Sequence, residues 1–199
     1  MSEANRKTLN TYDTGVQNYI NGTVKETNGF QREWLDSVLE DVPVNSQILE
    51  IGAAFGRDAK YMKSLGYEPD LTDASKGFVE YLRQHEYNAT ELNIIDNMPE
   101  KFYDVIVASA VFLHFTDEDF SKAIHNVRER LTESGKFAFS VKKGDGEAWS
   151  EFKMEAPRYF KYWQADEITT KLAQIGMRTI SLDQRAGKEE WLHVTCVRS

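Results

Sequence analysis

The sequence predicts an α/β fold built on a doubly wound sheet of seven strands. The sheet is mostly parallel, with an antiparallel C-terminal strand. Three observations carry this prediction. Apolar runs with strand spacing alternate with helical periods from Gln47 to Ile175. The first run, Gln47-Ile48-Leu49-Glu50-Ile51, ends in a turn, Gly52-Ala53-Ala54-Phe55-Gly56, that opens a polar helix start at Arg57-Asp58. The chain closes on two strand-like runs, 177–182 and 191–197, joined by a hairpin turn over 187–190 that begins at Gly187. That hairpin adds an antiparallel member to an otherwise parallel sheet.

Taken in order, residues 1–11 are polar and read as a loose start. Tyr12, Val16, Tyr19 and Ile20 give a short amphipathic helix over 12–20. Phe30, Trp34, Leu35, Val38 and Leu39 share one stripe and predict a firmer helix over 30–39, closed off by Pro43. Together these form an N-terminal helical cap over 1–45, ahead of a cofactor-binding domain over 46–199. The alternation then runs through a strand at 47–52 and a helix at 57–65 stopped by Gly66. A strand follows at 67–72, although Pro69 suits a central strand poorly. A helix at 75–84 has Ser75 as its cap, and short and long strands follow at 89–92 and 103–108. Thr116 caps a helix at 117–131, Gly135 precedes a strand at 136–141, and Gly176 ends a helix at 165–175. Residues 143–163 read as an insertion, in which Gly144 and Gly146 serve either a mobile loop or ordinary turns.

Composition bounds the function. At 199 residues and 41% hydrophobic, the chain suits one domain with a real core. A net charge of -8 argues against a broad nucleic-acid footprint, though not against a local basic pocket. The single cysteine, Cys196, reads as a core thiol in the last strand and points to a reducing compartment. The start of the chain has no apolar leader segment, and no run approaches the ~18 apolar residues of a membrane span. A cytoplasmic protein without membrane contact is expected. The histidines, His85, His114, His125 and His193, are scattered, and no metal site is expected. No long coiled-coil stripe is present, so both a monomer and a homodimer remain open.

The Gly-bearing turn is the natural ligand site. Gly52 ends the first strand, where a side chain would hold a ligand off the backbone, and Gly56 opens the helix whose free N–H groups face that ligand. A plain strand-to-helix turn is the alternative. Asp73 ends the second strand beside it, where its carboxylate can accept both hydroxyls of a ribose or cap the helix at Ser75. Glu50 is a carboxylate inside an apolar strand and must be paired or near water. It can meet a cationic ligand, or Tyr12 or Tyr19 from the N-terminal helix. The dinucleotide pattern is absent, because Ala54 stands where its second glycine would be.

At these residues the chain resembles the class I S-adenosylmethionine-dependent methyltransferases of small-molecule type, from about Tyr12 to Val197. The resemblance implies a Rossmann-like fold and S-adenosyl-L-methionine as cofactor. It places Gly52, Ala53 and Gly56 at the methionine part of the cofactor, with Glu50 and Arg57 of the same motif as further cofactor-binding candidates, Asp73 at the ribose and Ala74 beside the adenine. The stretch Leu92-Asn93-Ile94 puts Asn93 where the family usually has an aspartate, a departure, and Ile94 against the ring. Ser109 and Ala110 would line the cofactor, and His114 would face the methyl end. His114 is the one histidine at a strand's carboxyl end, where it can act as catalytic base or order the loop. Acceptor-binding candidates are Tyr12, Tyr19, Arg158, Tyr159, Tyr162 and Trp163, an aromatic group suited to a flat or cationic partner or to anchoring the insertion. The expected activity is methyl transfer to a small molecule. The alternatives are transfer to protein or RNA, and a protein that binds the cofactor without catalysis.

Overall fold

Buried strands alternating with one-sided helices bury both faces of a parallel sheet, and that is the architecture observed. The computed structural model describes residues 1–185 and 189–199. Three helices lead: α1 (Glu3–Thr14), α2 (Val16–Asn21) and α3 (Gly29–Leu39). The alternating part follows as β1 (Ile48–Ile51), α4 (Arg57–Ser64), β2 (Asp70–Asp73), α5 (Lys76–Gln84), β3 (Ala89–Glu91) and β4 (Tyr103–Ala108). A short 3-10 turn at Phe112–His114 leads to α6 (Asp117–Arg128) and the long strand β5 (Leu131–Lys142). Then come β6 (Glu147–Ser150), β7 (Arg158–Lys161), α7 (Ala165–Gln174), β8 (Met177–Arg185) and β9 (Trp191–Arg198).

The main sheet has seven strands in the order β3-β2-β1-β4-β5-β9-β8. β9 runs antiparallel to both β5 and β8, so the other six strands share one direction. Chain order reverses between β1 and β4, and such a switch point leaves a crevice at the carboxyl ends of the strands. Residue alternation along the strands divides the core. Ile48, Val105, Val107 and Ala138 pack with Trp34, Leu35, Val38 and Met62 on the face covered by α3 and α4. Leu49, Ile51, Ile106, Phe137 and Phe139 face the other way, against Phe112, Phe120, Ile124, Trp163 and Leu172. α3 is therefore a wall of the main core.

Several expectations are corrected. The start is not loose: α1 begins at Glu3, with Ser2 Oγ accepting the Asn5 N–H at 3.1 Å. The helix expected over 12–20 breaks at Gly15 into the end of α1 and the separate α2. β2 begins at Asp70, just past Pro69, which has no N–H to give a ladder. α6 stops at Arg128, and residues from Leu131 belong to β5. The insertion contains an antiparallel pair, β6 with β7, separate from the main sheet. The expected turn over 187–190 falls partly on residues 186–188, outside the described residues. The Ser75 and Thr116 caps form as expected, accepting from Phe78 N and Asp119 N, each at 3.3 Å.

Candidate active site

β1 stops at Ile51 because the chain must turn sharply to enter α4. Gly52 takes φ +69° and Ala54 φ +49°, and the Gly52 and Ala53 N–H groups both donate to Thr72 O, at 2.8 and 3.0 Å. A Cβ on Gly52 would lie 2.4 Å from Val111 Cγ2, so the missing side chain lets the loop after β4 approach. Gly56 serves a different purpose. Its φ of +80° needs glycine, and a Cβ there would press on Leu82 and Tyr87 at 3.1 and 3.2 Å, away from the crevice.

Asp73 ties the two strand ends together. Its carboxylate accepts the Ala54 N–H at 2.9 Å and the Ser75 N–H at 2.8 Å, so loop anchoring and helix capping are both satisfied. Burial pushes its pKa up to about 6, against the pull of these two backbone donors.

Asp73 lines a cleft at the carboxyl ends of β1, β2 and β4. Gly52, Ala54, Ala74, Asn93, Ile94, Ser109 and Ala110 line it from the sheet side. Asn5, Thr8, Leu9, Tyr12 and Tyr19 close it from above. The roof is held by polar bonds. Asn93 Nδ2 donates to Asn5 Oδ1 at 3.0 Å, Thr8 Oγ1 accepts the Tyr159 N–H at 2.9 Å, and Thr11 Oγ1 donates to Pro157 O at 2.7 Å.

At one end of the cleft Tyr12, His114 and Arg158 form a chain. Tyr12 Oη lies 2.8 Å from His114 Nε2, and Arg158 donates to the same hydroxyl at 3.2 Å. His114 Nδ1 lies 2.6 Å from Tyr159 O, a carbonyl that only accepts, so Nδ1 carries the proton and Nε2 accepts from Tyr12. Burial, with the cations Arg158 and Lys142 nearby, pushes the His114 pKa down to about 3. The neutral ring is thus fixed in one tautomer. Its NMR signals should show no protonation between pH 8 and pH 5, which a carbon-detected titration checks. Because unfolded histidine takes up a proton below about pH 6.5, this burial destabilises the fold as pH falls through that value.

Behind the glycine turn lies a second polar group. Asp58 is buried and accepts from Arg57 at 2.8 and 3.0 Å, from Thr27 at 2.7 Å and from Gln31 at 2.9 Å. Burial works to raise its pKa, but the bonds and charge of Arg57 outweigh it and hold the carboxyl low. Gln31 also donates to Ser109 Oγ at 2.8 Å. Glu50 is 3% exposed, and its Oε2 has no hydrogen-bond partner. Burial and the nearby Asp58 push its pKa well up, which favours the uncharged acid.

Ten of the sequence-derived site residues therefore meet around the cleft: Tyr12, Tyr19, Gly52, Asp73, Ala74, Asn93, Ile94, Ser109, Ala110 and His114. Glu50, Ala53, Gly56 and Arg57 stand behind its wall, and Arg158 and Tyr159 support it through Tyr12 and His114. Tyr162 packs beside Gly144, and Trp163 is fully buried against Phe120, with ring centroids 4.4 Å apart. Both anchor the β6–β7 insertion away from the cleft wall. Sequence reading missed Asn5, Thr8, Ala54, Ser75, Phe78 and Val111. The spacing of Asn5, Thr8 and Tyr12 at helical intervals is the one signal that could have found the roof.

A turn that needs φ above zero after β1, an acid at the end of β2 and a seven-stranded sheet with one reversed strand define the class I methyltransferase fold. Residues 49–137 match the family model described as a methyltransferase domain. Among solved structures, DhpI in complex with SAH superposes with a TM-score of 0.77 at 17% identity, covering 100% of this chain and 99% of that one. The Burkholderia thailandensis 1,6-didemethyltoxoflavin-N1-methyltransferase gives 0.76 at 14% identity, covering 100% and 92%. The glycopeptide N-methyltransferase MtfA, complexed with S-adenosyl-L-methionine, gives 0.70 at 16% identity, covering 84% and 93%. No curated protein sequence matches the chain. The resemblance read from the motifs is supported by that model over residues 49–137, and the chain shares the fold of these solved methyltransferases.

Proposed function

We propose that the protein transfers a methyl group from S-adenosyl-L-methionine to a small-molecule acceptor. One observation carries the reading: Asp73 stands on the cleft wall and is bonded to the glycine turn through Ala54, where an acid can hold a ribose beside a bent backbone. The residues present suit the cofactor. Glu50 and Arg57 lie beside one another behind the glycine turn and back the loop from outside the cleft. Asp73 takes the ribose, Ala74, Asn93 and Ile94 take the base, and Gly52, Ser109 and Ala110 let the chain approach closely. Ala53 and Gly56 keep the turn in shape. When bound, the cofactor supplies an electrophilic methyl on a sulfonium with a good leaving group. The protein's part is alignment and exclusion of water, under the roof made by Leu9, Tyr12 and Tyr19. His114 Nε2 holds the Tyr12 hydroxyl in place, and its low basicity suits orientation better than proton abstraction at neutral pH.

The net charge of -8 supports a small acceptor over a nucleic acid. Among the described residues no helix is long and apolar enough to cross a membrane, and Cys196 is buried and unpaired, which suits a cytoplasmic setting. A monomer or a homodimer is proposed.

Calorimetry with SAH tests the cofactor, and transfer of labelled methyl to a metabolite extract tests the reaction. Binding without transfer would make the protein a cofactor-binding module, and absence of binding would remove the proposal. The ionised Asp73 carboxylate is the better acceptor for ribose hydroxyls. SAH affinity should therefore hold above pH 7 and fall below about pH 6, by up to about tenfold per pH unit. Stability of the unliganded protein moves the opposite way. An acid with a raised pKa binds its proton more readily in the folded state, so its contribution is lost as pH rises from about 4 through 6. Asp73→Asn should flatten both profiles.

A further inference from the structure

We infer that the methyl acceptor carries an oxyanion, a carboxylate or a phosphate, seated by Arg158 and Lys153 beside the Tyr12–Tyr19 pair at the mouth of the cleft. The inference rests on the methyl-transfer reading and adds the class of acceptor to it. The first observation is a buried cation with no counter-charge. Arg158 is 6% exposed, and its Nε has no hydrogen-bond partner. Its other nitrogens donate to Tyr12 Oη at 3.2 Å and Phe152 O at 2.6 Å, both neutral acceptors. No carboxylate among the described residues lies in ion-pair range of it. A guanidinium so placed is costly unless an anion completes it.

The second observation is a neighbouring cation in the same condition. Lys153 Nζ stands 4.1 Å from the centroid of the Tyr19 ring, and Tyr19 lies 5.5 Å from Tyr12, centroid to centroid. Lys153 also has no carboxylate in ion-pair range among the described residues. Burial, with the charges of Arg158, Arg57 and Lys142, pushes its pKa down to about 8. The other two cations of this group are answered, Arg57 by Asp58 and Lys142 by Glu189. A chain of net charge -8 has acids to spare, yet among the described residues none pairs with Arg158 or Lys153, Glu189 acting on Lys153 only from beyond ion-pair range. Tyr12 and Tyr19 both line the cleft, so an anion held here leaves the rest of the acceptor inside it. Arginine grips either oxyanion bidentately, and lysine adds a point charge at the rim.

The test is titration calorimetry of the SAH-loaded protein with inorganic phosphate and, separately, with benzoate. At least one probe should bind, and Arg158→Gln and Lys153→Met should each weaken it tenfold or more, with SAH affinity unchanged in Lys153→Met. Lys153 is only half-buried, so its variant remains informative if Arg158→Gln fails to fold. Binding of phosphate alone or benzoate alone identifies which oxyanion the acceptor bears. Three results overturn the inference: neither probe binds the SAH-loaded protein, the variants bind as the wild type does, or the probes bind only without SAH. The last would assign the cations to the cofactor's own carboxylate. Failure of SAH itself to bind is a separate result, which removes the methyl-transfer reading.

Discussion

Asp73→Ala should weaken SAH binding by about 10- to 100-fold, the worth of charge-assisted hydrogen bonds of roughly 1.5–3 kcal/mol. The same change orphans two N–H groups, those of Ala54 and Ser75, which the carboxylate now holds at 2.9 and 2.8 Å. A buried donor left unpaired costs about 1–3 kcal/mol, so the variant should also melt several degrees lower. Asp73→Asn keeps one acceptor oxygen and should fall between alanine and wild type in both measurements. Calorimetry for SAH and a thermal melt without ligand separate the two effects. An alanine variant that binds SAH normally would show that this acid only anchors the loop, and the placement of the ribose would have to be abandoned.

Trp163→Ala should produce the largest loss of stability, about 3–5 kcal/mol, read from the denaturant midpoint. The side chain is fully buried, with Phe120 against its ring and the Lys161 ammonium 4.3 Å from its centroid, so truncation opens a large cavity. Its backbone N–H donates to Lys142 O at 3.0 Å, where the insertion leaves β5. Loosening that point should free the β6–β7 pair and expose it to limited proteolysis before the main sheet unfolds. SAH affinity of the folded variant should stay within about twofold, because Trp163 lies away from the cleft wall. Stability that is unchanged would contradict its role as the anchor.

These expectations draw on residues whose roles were unequally legible in the sequence. β4 could be placed at Tyr103–Ala108 because its apolar run, Val105 to Ala108, lies between Asp104 and Ser109. The acid Asp73 was readable because it ends a strand at a set distance from the glycine turn. α1 was missed for a physical reason. Its buried residues are Asn5, Thr8 and Thr11, so the face it turns inward is polar and leaves no hydrophobic period to read. β6 was missed because its four residues alternate between exposed and half-buried, a pattern shared with loops. The start of β5 at Leu131 was hidden by the irregular pairing between Tyr103 and Val105, which puts Glu133, Ser134 and Gly135 inside a strand. Gly56 was recognised but given the wrong neighbour, since spacing cannot say whether a missing Cβ makes room for a ligand or for Leu82 and Tyr87.

The polar underside of α1 has a consequence for how the helix is held. Asn5, Thr8 and Thr11 grip Asn93, Tyr159 and Pro157 through hydrogen bonds that water can replace one for one. α1 is thus held to the cleft by exchangeable polar bonds along most of its length and by one aromatic anchor, Tyr12 on Phe78 and His114.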